Sequence, residues 1–281
     1  MRERLTGFTH DGLDFEVTDT GPLDGPVIVL LHGFPQTAAS WSGVAAILNE
    51  AGYRTVAPDQ RGYSPGARPR GRFAYRPAAL VRDVLALVDR LGHGPVHLVG
   101  HDWGAAVAWW TAAARPARIA TLTTVSVPHP GAFFRSLFTV DQLRRSYYMG
   151  LFQIPFLPER LLRARPGLLD AALARTGMPE RTRAETRARV VEAGALPGGL
   201  NWYRGMLMAV PGGLGRRVRV PVTHVWSTGD AALGRYGADL AGRYAEGDYR
   251  LAVLEGVSHW VPDEAPEDLA ALVLDRVATA R

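Results

Sequence analysis

Short apolar runs alternate along the chain with longer stretches of helical spacing, the pattern of a mostly parallel α/β sheet flanked by helices. The runs at 26–31 (PVIVLL), 54–58 (RTVAP), 96–100 (VHLVG) and 119–127 predict buried strands. Between them, 39–51 carries Trp41, Val44, Ala45 and Leu48 on one helical face. The stretch 77–91 does the same with Leu80, Val84, Leu87 and Leu91, and Pro77 suits a first helical turn, where a missing N–H costs nothing. A small-residue helix is expected at 105–114. Strand character returns at 218–226 and 249–254, and a closing helix is expected at 266–279.

From 130 to about 215 the period changes. No strand pattern is present, only helical pieces broken by Pro and Gly, with aromatic residues concentrated at 133–156. The expected organisation is therefore an α/β core in two segments, 1–129 and 216–281, with an inserted helical lid at 130–215.

Composition narrows the chemistry. The 281 residues include no cysteine, which removes disulfides, thiol nucleophiles and Cys-based metal sites. All 32 basic residues are Arg, which removes a Lys Schiff base and a Walker A lysine. His, Asp, Glu, Ser and Tyr remain. No His/Asp/Glu cluster has metal-ligand spacing, so neither a metal nor a cofactor is expected. The net charge of +5 comes from scattered arginines, interleaved with acids at 160–189, which describes a solvated surface and no nucleic-acid footprint. The chain opens MRERLTGFTHDG without an apolar signal region, and its longest apolar stretch, 105–114, is too short to cross a bilayer. A cytoplasmic protein without membrane contact is expected.

The candidate chemistry centres on Gly100-His101-Asp102-Trp103-Gly104, between a strand and a helix. Glycines two before and two after a central residue permit a sharp turn that exposes the middle side chain at the carboxyl end of the sheet. The alternative is a plain βα turn in which Asp102 only caps the helix. Two later residues favour the functional reading. Asp230 follows the strand expected to end near Trp226, and His259 follows the next one; nucleophile, acid, His is the order of α/β-hydrolase triads. The strand ending at Leu31 also opens into His32-Gly33-Phe34-Pro35, a loop placed to offer an oxyanion N–H from Phe34 beside that of Trp103.

These motifs resemble those of the epoxide hydrolase group of the α/β-hydrolase superfamily, over nearly the whole chain. HGFPQ (32–36), DQRGYSPGARP (59–69) and GHDWG (100–104) resemble the group's core motifs. YYMGLFQ (147–153) and NWYRGM (201–206) resemble the lid segments that carry its two tyrosines, which map to Tyr148 and Tyr203. The resemblance implies conversion of an epoxide and water to a vicinal diol. Tyr148 and Tyr203 would donate protons to the epoxide oxygen, with a small apolar epoxide and water as the partners.

An aspartate suits that chemistry because it is ionised without a base to activate it. Its ester is hydrolysable at its own carbonyl carbon, whereas a serine would form an inert ether. His259, oriented by Asp230, is the expected general base for the water. Trp103, Phe152 and Trp260 are expected against substrate, and Phe133, Phe134, Phe138, Phe156, Met206 and Met208 lie where they could line the cavity or pack the core. His32 and Arg61 read as loop anchors, and His129 as a packed loop residue. The lid aromatics would allow a homodimer. A haloalkane dehalogenase shares the nucleophile, and Trp103 could give a departing halide one N–H, but Phe34 stands where those enzymes resemble each other in having Asn. A fluoroacetate dehalogenase would resemble GHDRG, with an Arg for the substrate carboxylate where this chain has Trp103. A non-catalytic binding protein on the same fold is the remaining alternative.

Overall fold

The computed structural model describes residues 3–92, 94–165, 167–209 and 211–280. An eight-stranded sheet runs through it, built from β1 (Gly7–His10), β2 (Leu13–Thr20), β3 (Val27–Leu31), β4 (Arg54–Pro58), β5 (Val96–His101), β6 (Ile119–Val125), β7 (Val222–Gly229) and β8 (Tyr249–Ser258). The spatial order is β1-β2-β4-β3-β5-β6-β7-β8. The first two strands are antiparallel to their neighbours and all later pairs are parallel. This is the mostly parallel α/β architecture expected from the alternation.

Helices α1 (Ser42–Glu50), α2 (Pro77–Leu91) and α3 (Trp103–Ala114) follow β3, β4 and β5. Between β6 and β7 come α4 (Pro130–Ser136), α5 (Val140–Arg145), α6 (Tyr147–Gln153), α7 (Leu157–Ala164), α8 (Gly167–Arg175), α9 (Glu180–Thr186), α10 (Leu196–Met206) and α11 (Pro211–Leu214). Then α12 (Arg235–Ala241) follows β7, and α13 (Val261–Glu264) and α14 (Pro266–Ala278) close the chain.

Alternate side chains of the central strands go to opposite faces, as a pleated strand requires. Val29, Leu31, Leu98 and Leu122 belong to the core that includes residues of α2 and α3. Ile28, Leu30, Val99 and Val225 belong to a second core with residues of α1 and α14. Because both faces are covered, β3, β4, β5 and most of β6 are buried along their length, which is why β3 reads as an unbroken apolar run and the others as mainly apolar or small.

Two differences from the sequence reading have physical causes. The β1–β2 hairpin was not expected, because its strands are half exposed and look polar; its signal was the Asp11-Gly12 turn, where both residues have positive φ. The strand expected from 218 begins only at Val222. Pro221 cannot donate to a ladder, and Val218 makes a single bridge to Ala245.

Candidate active site

Asp102 occupies the turn between β5 and α3 with φ 52° and ψ −121°, a conformation rare for a residue with a side chain. The close packing of its neighbours imposes it. A Cβ on Gly100 would overlap the Gly104 carbonyl, and one on Gly104 would overlap the Leu31 carbonyl, so only glycines let the turn press against β3. The carboxylate is thereby presented at the carboxyl end of the sheet, beside the loop that follows β3.

That loop grips it. The Phe34 N–H donates to Asp102 Oδ1 at 2.7 Å, and the Trp103 N–H at the start of α3 also hydrogen-bonds the carboxylate. His32 orders the loop from behind: its Nε2 accepts the Gln60 N–H at 3.1 Å while the Gln60 side chain donates to the His32 carbonyl at 2.5 Å. With Nε2 accepting in the interior, His32 is neutral, and burial holds its pKa below the ordinary value.

Asp230 and His259 stand where β7 and β8 end. His259 Nδ1–H donates to Asp230 Oδ2 at 2.9 Å, and Nε2 lies 3.7 Å from Asp102 Oδ2. The other Asp230 oxygen accepts from the N–H groups of Ala232 and Leu233 at 2.8 and 2.9 Å. The His259 carbonyl accepts from His101 Nε2–H at 2.9 Å and from the Ser126 hydroxyl at 3.3 Å, so the loop carrying His259 is held through its backbone as well. The motif showed His101 in the sequence, but not its task. Burial pushes its pKa down to about 3, so it holds the loop as a neutral ring.

Charges in this buried set act in definite directions. Burial pushes Asp102 up, and the His259 charge and the Trp103 and Phe34 N–H groups offset only part of that. Burial also opposes ionisation of Asp230, but the His259 charge and hydrogen bond, with two backbone N–H groups, leave its pKa below the ordinary value. For His259, burial pulls down while the Asp230 charge and hydrogen bond and the Asp102 charge raise it, with a net rise above 6.5.

Tyr148, on α6, and Tyr203, on α10, face the same cavity as Asp102. Their rings lie 6.0 Å apart, and the Tyr203 ring stands perpendicular to those of Trp103 at 5.1 Å and Phe34 at 5.2 Å. Burial, and the Asp102 charge, raise both phenols above their ordinary value, so both are protonated donors at neutral pH. The cavity is small, about 40 Å³, and its other walls include Trp110, Phe133, Phe134, Met206 and Leu233.

Several expected lining residues stand elsewhere. Phe152 does not line the cavity; it fills the wedge behind the tyrosines, 5.0 Å from the Tyr203 ring and 5.5 Å from the Tyr148 ring. Trp260 is likewise absent from the cavity wall. It stands perpendicular to His259 at 4.9 Å and donates its indole N–H to Thr176 Oγ1, where it backs the imidazole. Phe138 and Phe156 are 93% and 72% exposed, and Met208 is also outside the cavity wall. Arg61 makes a buried two-pronged pair with Asp83 at 2.6 and 2.7 Å, and His129 caps α4 by accepting the Gly131 N–H. Among the described residues no three His, Asp or Glu side chains gather to hold a metal ion.

A family model described as the α/β-hydrolase fold matches residues 26–173. The chain belongs to the α/β-hydrolase family. It is 35% identical over 272 residues to the AB hydrolase superfamily protein YfhM of Bacillus subtilis, covering 94% of each. To epoxide hydrolase A of Mycobacterium tuberculosis it is 30% identical over 307 residues, again covering 94% of each. Among solved structures it is similar to the epoxide hydrolase VrEH1 of Vigna radiata, with a TM-score of 0.83, 30% identity, and coverage of 99% of this chain and 98% of that one. The α/β-hydrolase resemblance, and within it the similarity to epoxide hydrolases, thus extends over nearly the whole chain. No helix among the described residues is long and apolar enough to cross a membrane.

Proposed function

We propose that this α/β-hydrolase is an epoxide hydrolase that works through an ester on Asp102, without metal or cofactor, on a small apolar epoxide. The observation that carries the reading is the meeting of three side chains at one cavity: an aspartate at the elbow and two buried, protonated tyrosines. The segment 130–215 is the cap that supplies both tyrosines, and 1–129 and 216–281 form the core that supplies the triad.

The two carboxylate oxygens divide the work. Oδ1 is held by the Phe34 N–H, so Oδ2 is the oxygen free to attack. It forms a C–O bond to an epoxide carbon as the ring C–O bond breaks, and the departing oxygen takes a proton from the Tyr148–Tyr203 pair. The enzyme then holds a hydroxyalkyl ester whose carbonyl oxygen is Oδ1.

Ester formation removes the Asp102 charge, one of the influences that raise the His259 pKa. The imidazole therefore gives up its proton more readily once the ester exists, and is ready as a base. It deprotonates a water that attacks the ester carbonyl carbon, and negative charge develops on Oδ1, beside the Phe34 and Trp103 N–H groups. Collapse breaks the ester C–O bond. The departing diol oxygen takes the proton of the newly added hydroxyl, which restores the carboxylate, and the proton on His259 returns to the tyrosinate left by ring opening.

A single turnover in H₂¹⁸O with enzyme in excess tests this path. The diol is expected unlabelled, because its new oxygen is the former Asp102 Oδ2, and the label is expected in the peptide containing Asp102. Label in the first-turnover diol would show direct attack of water on the epoxide and overturn the ester.

A further inference from the structure

We infer that Arg204 and Glu159 are positioning residues for ring opening: their ion pair fixes the end of α6 against α10 and so sets the spacing of Tyr148 and Tyr203. The inference rests on the proposed function. Two phenols must reach one departing oxygen, and errors of about 1 Å in such geometry can cost about 10² in rate. Yet α6 has seven residues, fewer than two turns, and is far too short to hold its own geometry by intrinsic helicity. Something outside it must hold Tyr148 in place.

Arg204, the residue after Tyr203, does this with every donor it owns. Its Nε–H donates to the Phe152 carbonyl at 2.8 Å and an Nη2–H to the Ile154 carbonyl at 3.0 Å, two carbonyls at the open end of α6. The remaining donors go to Glu159 Oε1 at 2.6 Å, Glu159 Oε2 at 3.1 Å and Asn201 Oδ1 at 3.2 Å. Five N–H groups meet five acceptors, so the planar fork has one orientation. A reciprocal bond runs back from α6 to α10: Gln153 Nε2–H donates to the Tyr203 carbonyl at 3.0 Å. The ties meet α10 at Tyr203 and its neighbour Arg204, and α6 at its C-terminal end, one turn after Tyr148.

Stability alone does not account for this pair. Replacing a buried ion pair by apolar side chains of similar volume is often neutral or stabilising. What apolar packing lacks is the direction that five hydrogen bonds impose.

The test uses the double variant Arg204→Met/Glu159→Leu, which leaves no unpaired charge, and Gln153→Ala, which removes the reciprocal bond. Ester formation and ester hydrolysis are followed separately in single turnovers by rapid quench and intact-protein mass, with the melting temperature as a control. The double variant is expected to form the ester about ten- to a hundredfold more slowly, and Gln153→Ala several-fold more slowly. Both should hydrolyse a formed ester within about twofold of the wild-type rate, because that step uses His259 and not the tyrosines. Equal loss in both steps would mean a merely structural role, and no loss would mean no role; either overturns the inference and leaves the proposed function standing. Should the double variant not fold, Gln153→Ala decides by the same two rates. Failure of the wild-type protein to form any ester would overturn the proposed function, and this inference with it.

Discussion

The Phe34 N–H donates to Asp102 Oδ1 at 2.7 Å, so the oxygen proposed to carry the developing charge is already in the grip of its donor. Gly33 makes the approach possible, since a Cβ there would overlap the Asp102 side chain. Gly33→Ala is expected to push the carboxylate off its donors. The loss of one such donor typically costs about 10²–10³ in rate. Epoxide turnover should fall by that order while circular dichroism stays native; turnover within a few-fold of wild type would show that the grip is not needed.

His259 must be neutral to take a proton from water, and its pKa is raised above 6.5, chiefly by Asp230 acting against burial. Ester hydrolysis is therefore expected to rise with pH through a pKa governed by this pair. Asp230→Asn removes the charge that raises it. The limb should move to lower pH, and the plateau should fall by about 10³–10⁴, as a misdirected imidazole does elsewhere. A pH profile of single-turnover hydrolysis reads both; an unmoved limb would assign it to another group.

Tyr148→Phe and Tyr203→Phe keep the aromatic packing and remove one donor each. Ester formation from an epoxide is expected to slow about 10²-fold in either and further in the double variant, in line with general-acid contributions of about 10²–10⁴. Hydrolysis of the formed ester should be unchanged. Equal slowing of the two steps in a rapid-quench experiment would remove the tyrosines from ring opening.

Buried neutral histidines make the fold acid-sensitive. Burial lowers His97, His129 and His224 to about 4 and His101 to about 3. Below pH 6.5 the unfolded chain binds protons that the folded chain refuses, so stability is full above 6.5 and is lost as pH falls toward 4. His259 runs the other way, but it is one group against five, since burial lowers His32 as well. His129 shows the structural reason: Nδ1 accepts the Gly131 N–H and Nε2–H donates to the Arg216 carbonyl, which leaves no room for a second ring proton. Melting temperature is expected to drop between pH 6.5 and 4, and less steeply in His129→Asn, which keeps a helix cap. A pH-independent melting temperature across that window would contradict this.

The triad was legible because its residues sit where strands end. Glycine spacing around Asp102 and the positions of Asp230 and His259 after two apolar runs survive as local patterns, and the sheet follows from the same runs. The tyrosines were legible only through the resemblance of two lid segments; their meeting with Asp102 depends on how the lid helices pack. Trp260 was expected against substrate because it adjoins His259, and Phe152 because it stands among the lid aromatics. Neither lines the cavity that Asp102 shares with the tyrosines, and both pack against the residues that do or against His259. Arg204 and Glu159 lie 45 residues apart and carry no pattern that would pair them. Long-range polar contacts of this kind are written in the packing and not in any short stretch of chain.

The ester on Asp102 is the centre of the account, and intact-protein mass spectrometry of His259→Gln mixed with an epoxide tests it most directly. Without the base, the first step proceeds and the second stalls. The protein is expected to gain the whole mass of the epoxide, because the opened oxygen stays attached, and Asp102→Ala should gain nothing. A gain from alkyl bromides alone, lighter by the lost halide, would make the protein a dehalogenase. No adduct from any epoxide, with the His259→Gln fold intact, would contradict the covalent mechanism.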